Sequence, residues 1–273
     1  MSNIKNMKLL MIGAGNMGLT YAEGMSQSPL LNNQLIRIHD KSPEIKEKIE
    51  KDDRFIFIDD LNQFLPEADI VFLAVKPYHK EAVFEEINMH VNPEQLFVSL
   101  MAGVNIKTLS EGLNAQKIVR TMPNLPAQVG KGVTSFTISQ NVSKLEAKLV
   151  KALLDTTGVS VKVANEKFID ASTGISGSGP AYVFFFMESM MKAAQDMGFS
   201  DKVSKVLVSQ TFEGAVELFN QNNLSPQKWM DKVASKGGTT RAALDSMEDN
   251  NLRQMIHDAA YAAFDRAVEL GNE

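Results

Sequence analysis

A strand-like run, Leu9-Leu10-Met11-Ile12, passes directly into Gly13-Ala14-Gly15-Asn16-Met17-Gly18 and then into a helix-forming segment. That order narrows the fold more than any other feature of the chain, because each glycine answers a separate geometric demand. The first permits a tight turn out of the strand, the second lets the backbone approach a pyrophosphate, and the third lets helix and strand pack closely. Without a strand before them and a helix after them, the same glycines would be only a flexible turn. Further short apolar runs follow at residues 35–39, 55–58, 70–75, 96–100, 117–122, 133–138 and 159–163, separated by helix-forming stretches. Strand and helix in alternation predict an α/β domain built on a doubly wound, mostly parallel sheet with helices on both faces. Beyond residue 165 the β-branched runs stop, and 180–197, 202–220 and 251–270 carry apolar residues at helical spacing. The chain is therefore expected to divide into a dinucleotide-binding domain over residues 1–164 and an all-α domain over 165–273.

Composition removes several function classes. A net charge of -5 over 273 residues disfavours a general polyanion binder, so nucleic acid is not an expected partner. Cysteine is absent, which excludes disulfides, thiolate zinc sites and a Cys nucleophile and is compatible with a reducing cytoplasm. No apolar run reaches the roughly 20 residues of a membrane span, and residues 1–7 lead straight into a strand. A soluble, unprocessed, cytoplasmic protein with no membrane partner is expected. His39, His79, His90 and His257 lack metal-ligand spacing, so no metal is expected either.

In open α/β sheets ligands sit outside the carboxyl ends of the strands. The fingerprint residues are therefore joined, as candidate coenzyme contacts, by Ala74-Val75-Lys76-Pro77, Met101-Ala102-Gly103 and Met122-Pro123-Asn124. Lys76 and Asn124 are the polar candidates among them; the alternative, that Pro77, Pro123 and Pro126 merely end strands, stays open. After the second strand comes Asp40-Lys41-Ser42. An acidic residue about 20 positions beyond the fingerprint bonds the ribose 2′-hydroxyl of NADH and repels a 2′-phosphate, whereas Lys41 and Ser42 suit the phosphate of NADPH. Both coenzymes remain compatible with this segment.

The helical third is interrupted at Val233-Ala234-Ser235-Lys236-Gly237-Gly238-Thr239-Thr240, just ahead of a helix-forming stretch that begins at Arg241. Such a loop sets unpaired N–H groups at a helix N-terminus, where the dipole favours an anion such as a carboxylate. Thr239 or Thr240 either caps the helix or turns a hydroxyl toward a ligand; a plain loop with an N-cap is the simpler alternative. Ile175-Ser176-Gly177-Ser178-Gly179-Pro180-Ala181-Tyr182 repeats the device, with Pro180 suited to a first helical turn.

Taken in order, the fingerprint, Ala74-Val75-Lys76-Pro77, Met122-Pro123-Asn124, Ser176-Gly177-Ser178-Gly179-Pro180-Ala181-Tyr182 and the 233–240 loop resemble the motifs of the pyrroline-5-carboxylate reductase family over essentially the whole chain. The resemblance implies a Rossmann-like domain followed by a helical domain that interlocks with its twin in a homodimer, and some members assemble five dimers into a decamer. It implies reduction of 1-pyrroline-5-carboxylate to L-proline, the last step of proline biosynthesis, with NADPH or NADH. By position it puts Ser235, Gly237, Gly238, Thr239 and Thr240 around the substrate carboxylate, with the Thr240 hydroxyl meeting the ring nitrogen, and makes Glu166 a further substrate contact. A threonine hydroxyl is a poor acid, so Thr240 is assigned positioning and proton relay. Two residues depart from the family pattern: Lys232 stands where some relatives have Asn, and Lys236 replaces a commoner Pro. Asp40 occupies a place that is often small or polar in NADPH-preferring members.

Apolar residues add a separate argument for association. Tyr182-Val183-Phe184-Phe185-Phe186-Met187 is apolar almost all round, and 258–264 offers small residues that permit close helix approach, more than one unit of about 105 residues would bury. A partner subunit is the expected cover. Two other functions compete with a reductase. A 3-hydroxyacid-type dehydrogenase would need a catalytic Lys early in the helix after residue 179, where Lys192 comes late. A non-catalytic dinucleotide sensor is not refuted by fold alone.

Overall fold

Strands form at the apolar runs: β1 (Leu9–Ile12), β2 (Ile36–His39), β3 (Phe55–Phe57), β4 (Ile70–Leu73), β5 (Leu96–Ser99), β6 (Lys117–Met122), β7 (Gly132–Ile138) and β8 (Gly158–Lys162). This is the arrangement in a computed structural model, which describes residues 7–31 and 34–272; residues 1–6, in which no leader was expected, lie outside it. The helices are α1 (Asn16–Ser26), α2 (Pro43–Glu50), α3 (Leu61–Phe64), α4 (Lys80–Ile87), α5 (Ile106–Leu113), α6 (Lys144–Leu154), α7 (Glu166–Ser172), α8 (Gly179–Asp196), α9 (Asp201–Gln221), α10 (Pro226–Val233), α11 (Thr239–Asp249) and α12 (Leu252–Asn272).

The strands join in one sheet of order β3-β2-β1-β4-β5-β6-β7-β8. Because side chains alternate across a strand, Leu9 and Met11 pack on one face with Tyr21 and Met25 of α1 and Leu153 and Leu154 of α6. Leu10 and Ile12 pack on the other face with Phe84 and Ile87 of α4 and Leu109 and Leu113 of α5. Both faces are covered at β1, β4 and β5, which are buried throughout, whereas at the edge β8 leaves Val159 and Val161 exposed. β7 breaks the parallel order by running antiparallel to β6. The connection, residues 123–131, is too short for the crossover of a dozen or more residues that a parallel pair requires.

Two compact units result: residues 1–178 with 263–273, and residues 179–262. The first extends past residue 164 because α7 packs on β6 and β7. Arg120 of β6, 4% exposed in its side chain, reaches Glu166 at 3.0 Å and Asp170 at 2.5 Å. A buried guanidinium must be paired, and those partners lie on α7. The second unit is helical, with α8 packed along α9 and α12 running on into the first unit. Its apolar surface is largely open: Phe184 is 59% exposed, Phe185 69% and Met197 79%.

Candidate active site

Strand order reverses between β1 and β4, and a crevice opens there at the carboxyl ends of the strands. Gly13 sits on its floor with φ +92; a Cβ there would meet Ala74 C and Val75 N at 2.8 Å, so only glycine fits the closest approach of the two strand ends. Gly18 packs α1 against the same turn, with a built Cβ only 2.1 Å from Gly13 O. Gly15 differs. It is the N-cap of α1 with φ -66 and ψ -169, and a Cβ on it would touch nothing within 4 Å. The space above Gly15 is thus open to a ligand, as the second glycine of the fingerprint requires.

Two clefts meet at this turn. The first, of about 320 Å³, runs toward β2 and α4 and is lined by Gly13, Gly15, Asp40, Lys41, Lys76 and Glu86 among polar and backbone groups, with Leu61, Val75, Ala82 and Val83 as apolar walls. That combination suits an adenosine. The second, of about 480 Å³, is lined by Gly15, Asn16, Met17, Ala74, Val75, Lys76, Pro77, Met101, Ala102 and Asn124, with Gly177 at its edge. It suits a nicotinamide and its ribose. Lys76 lines both clefts.

Several predicted residues occupy these clefts with their polar atoms already committed. The Asp40 carboxylate accepts from Ala14 N–H at 2.6 Å and from Ser42 N–H at 2.9 Å, tying the end of β2 to the glycine turn. Lys41 lies 2.9 Å from Glu86 of α4. Ser42 caps α2 by accepting from Ile45 N–H, and its hydroxyl donates to Glu44. Asn124, nearly buried, donates to Ser176 O at 3.1 Å and accepts from Val133 N–H at 2.9 Å, so its amide anchors the loop after β6. Gly103 does not line the second cleft; with φ +74 it faces Leu270 in a separate hollow beside α5. Glu166 uses Oε1 for both Arg120 and Ile106 N–H.

The 233–240 loop belongs to the other unit. Ala234 ends α10, Ser235 O accepts from Gly238 N–H at 3.0 Å, and Gly237 takes φ +71 within that turn. Gly238, not a threonine, is the N-cap of α11, and no side chain closes the helix start. The first intrahelical bond is Ala242 N–H to Gly238 O, which leaves the N–H groups of Thr239, Thr240 and Arg241 ahead of it. Lys232 lies over the Trp229 ring at 5.1 Å, and Lys236 is exposed. Helices α2, α3, α5, α6, α7, α9 and α10 all have a side-chain cap. α4 has none at His79, and α1 and α11 start at glycine N-caps with no side-chain cap, at the dinucleotide fingerprint and the 233–240 loop.

Sequence reasoning passed over Arg120 and Glu86. A lone arginine inside the apolar strand Lys117–Met122 was the available signal for the first, since an arginine there needs a buried partner. Glu86 gave no signal, because only folding sets it beside Lys41.

Known proteins resemble the chain along nearly its whole length. The family model for pyrroline-5-carboxylate reductase dimerisation matches residues 166–270, and a model described as NADP oxidoreductase, coenzyme F420-dependent, matches residues 8–103. Pyrroline-5-carboxylate reductase 2 of Bacillus subtilis is 33% identical over 273 aligned residues, covering 96% of this chain and 95% of its own. A solved pyrroline-5-carboxylate reductase from Coxiella burnetii superposes with a TM-score of 0.89 at 31% identity, covering 98% of this chain and 99% of that one. The pyrroline carboxylate reductase of Plasmodium falciparum, solved with NADP bound, gives 0.84 at 30% identity, covering 98% and 100%. The chain belongs to the pyrroline-5-carboxylate reductase family, NAD(P)H-dependent enzymes that reduce 1-pyrroline-5-carboxylate to proline.

Proposed function

We propose that the two open helix starts divide the reaction between them, α1 holding the coenzyme pyrophosphate and α11 the substrate carboxylate. The observation that carries this reading is the pair of glycine N-caps, Gly15 and Gly238, which leave backbone donors unpaired where an anion gains from the helix dipole. Ser235, Gly237, Gly238 and Thr239 surround the carboxylate, and Glu166 approaches the same substrate. Thr240 sets its hydroxyl at the ring nitrogen. When bound, NAD(P)H supplies a hydride to the imine carbon; the C=N electron pair passes to nitrogen, which takes up a proton and becomes the amine of L-proline. A hydrogen bond from Thr240 to that nitrogen draws charge from the imine carbon and relays the proton from water. Gly13, Gly15 and Gly18 shape the coenzyme turn, Asn16 and Met17 open α1 above it, and Ala14 and Asp40 brace it. Ala74, Val75, Pro77, Met101 and Ala102 wall the nicotinamide end, while Lys76 faces the pyrophosphate and Asn124 fixes the loop beneath.

The family model beginning at residue 166 supports the division into a coenzyme half, residues 1–164, and a substrate-binding and dimerisation half, residues 165–273. The homodimer is the functional unit, and the cytoplasm, which supplies reduced nicotinamide coenzyme, is where we place it. An assembly of five such dimers is a further arrangement that sedimentation would reveal. The primary test is coenzyme oxidation by purified protein with 1-pyrroline-5-carboxylate. Turnover with a 3-hydroxyacid and NAD instead, or coenzyme binding without turnover on either substrate, would overturn the assignment.

A further inference from the structure

The segment after β2 has two features that suit NADPH, the Lys41 ammonium and the Ser42 hydroxyl, but each is held by a carboxylate. Lys41 lies 2.9 Å from Glu86, whose side chain is 30% exposed against 68% for the lysine. Ser42 donates to Glu44 at 2.5 Å while its oxygen also caps α2. A third carboxylate, Asp40, is oriented by two backbone N–H groups, so it does not rotate away without leaving both unpaired. Asp40 and Glu86 line the adenosine cleft, and the ammonium groups beside them there are Lys41, already paired, and Lys76. Lys76 also lines the second cleft, which puts it at the pyrophosphate that must span the two.

We propose that the adenosine cleft is built for NADH, with Asp40 accepting from the ribose hydroxyls and Glu86 acting as a specificity-determining residue that excludes a 2′-phosphate. This rests on the reading that the cleft between β2 and α4 takes the adenosine end of the coenzyme. A 2′-phosphate carries about -1.5 to -2 charges at neutral pH and acts chiefly as an acceptor, so it would face Asp40 at close range and would have to draw Lys41 from Glu86. A ribose hydroxyl donates to Asp40 at no such cost. Screened by solvent, one carboxylate about 6 Å from that phosphate weakens binding roughly five- to tenfold.

Fluorescence titration of the wild-type protein with NADH and with NADPH tests the inference, with kcat/KM for 1-pyrroline-5-carboxylate reduction measured in parallel. NADH is expected to bind at least about tenfold more tightly, with the gap narrowing at high salt. Glu86→Gln should shift the NADPH-to-NADH affinity ratio about five- to tenfold toward NADPH, and Glu86→Lys further. Equal or tighter binding of NADPH by the wild type would overturn the selectivity, and an unchanged ratio in both Glu86 variants would remove Glu86 from it. Should Glu86→Lys leave 5′-AMP and 2′,5′-ADP binding equally unaltered while both coenzymes still bind, the adenosine lies elsewhere and the underlying reading fails instead.

Discussion

Replacing Gly15 by alanine separates ligand binding from folding with unusual economy. Gly15 has φ -66 and ψ -169, a conformation open to any L-residue, and a Cβ built there meets nothing within 4 Å. On stability, alanine restricts the unfolded chain and gains about 0.4–1 kcal/mol. It is a poorer N-cap than glycine by a similar amount, so the net change is close to zero. The melting temperature should therefore move by no more than about 2 °C. Coenzyme binding should respond quite differently, because the methyl group occupies the space through which the pyrophosphate reaches the N–H groups of α1. Losing one such charge-assisted bond, worth about 1.5–3 kcal/mol, weakens NADH and NADPH alike by roughly 10- to 150-fold. Gly18→Ala supplies the contrast. Its Cβ would lie 2.1 Å from Gly13 O and 3.1 Å from Ala74 Cβ, so backbone must move and stability should fall by about 1–3 kcal/mol along with affinity. Thermal melts and coenzyme titrations on the two variants are sufficient. If Gly15→Ala binds both coenzymes with wild-type affinity, the open space above the turn is not the pyrophosphate site.

Thr240→Ala should lower kcat by about 10²- to 10⁴-fold, with Thr240→Ser recovering part of it. Because Gly238 and not a threonine is the N-cap of α11, the melting temperature should move little, and near-normal kcat would end the proton-relay role. Arg120→Met leaves Glu166 and Asp170 without their shared cation and should cost about 3–5 kcal/mol in denaturant unfolding; a loss below about 1 kcal/mol would mean the pairs are not needed. Glu166→Gln separates the two roles of that residue, since a substrate contact raises KM for 1-pyrroline-5-carboxylate whereas a purely structural pair lowers only stability. Dilution should dissociate the protein with loss of activity, given Phe184, Phe185 and Met197 on open helix faces; a folded, active monomer by sedimentation would refute this.

How far the sequence disclosed the molecule depends on the range over which each feature is determined. The central strands β1, β4 and β5 were legible because burial on both faces demands apolar runs, and β1 with the glycine turn after it was legible because three glycines each carry a local constraint. The reversal at β7 was available in the nine-residue connection 123–131, but apolar content alone carries no strand direction. The candidate site was legible as segments and not as bonds. Asn124 reads as a polar group at a strand end, yet its amide is committed to Val133 and Ser176, the second of which lies 52 residues on. Glu166 reads as a ligand for the substrate, while its bond to Arg120, 46 residues earlier, could not be read from the segment. Coenzyme choice has the same character. Asp40, Lys41 and Ser42 alone leave NADH and NADPH balanced, because one carboxylate is set against one ammonium and one hydroxyl. On the NADH selectivity proposed above, Glu86 would tip that balance by taking the ammonium, from a helix that reaches Lys41 only because β1 and β4 are neighbours in the sheet. A loop motif states which groups are present at a site, while the sheet order determines which of them are free to act.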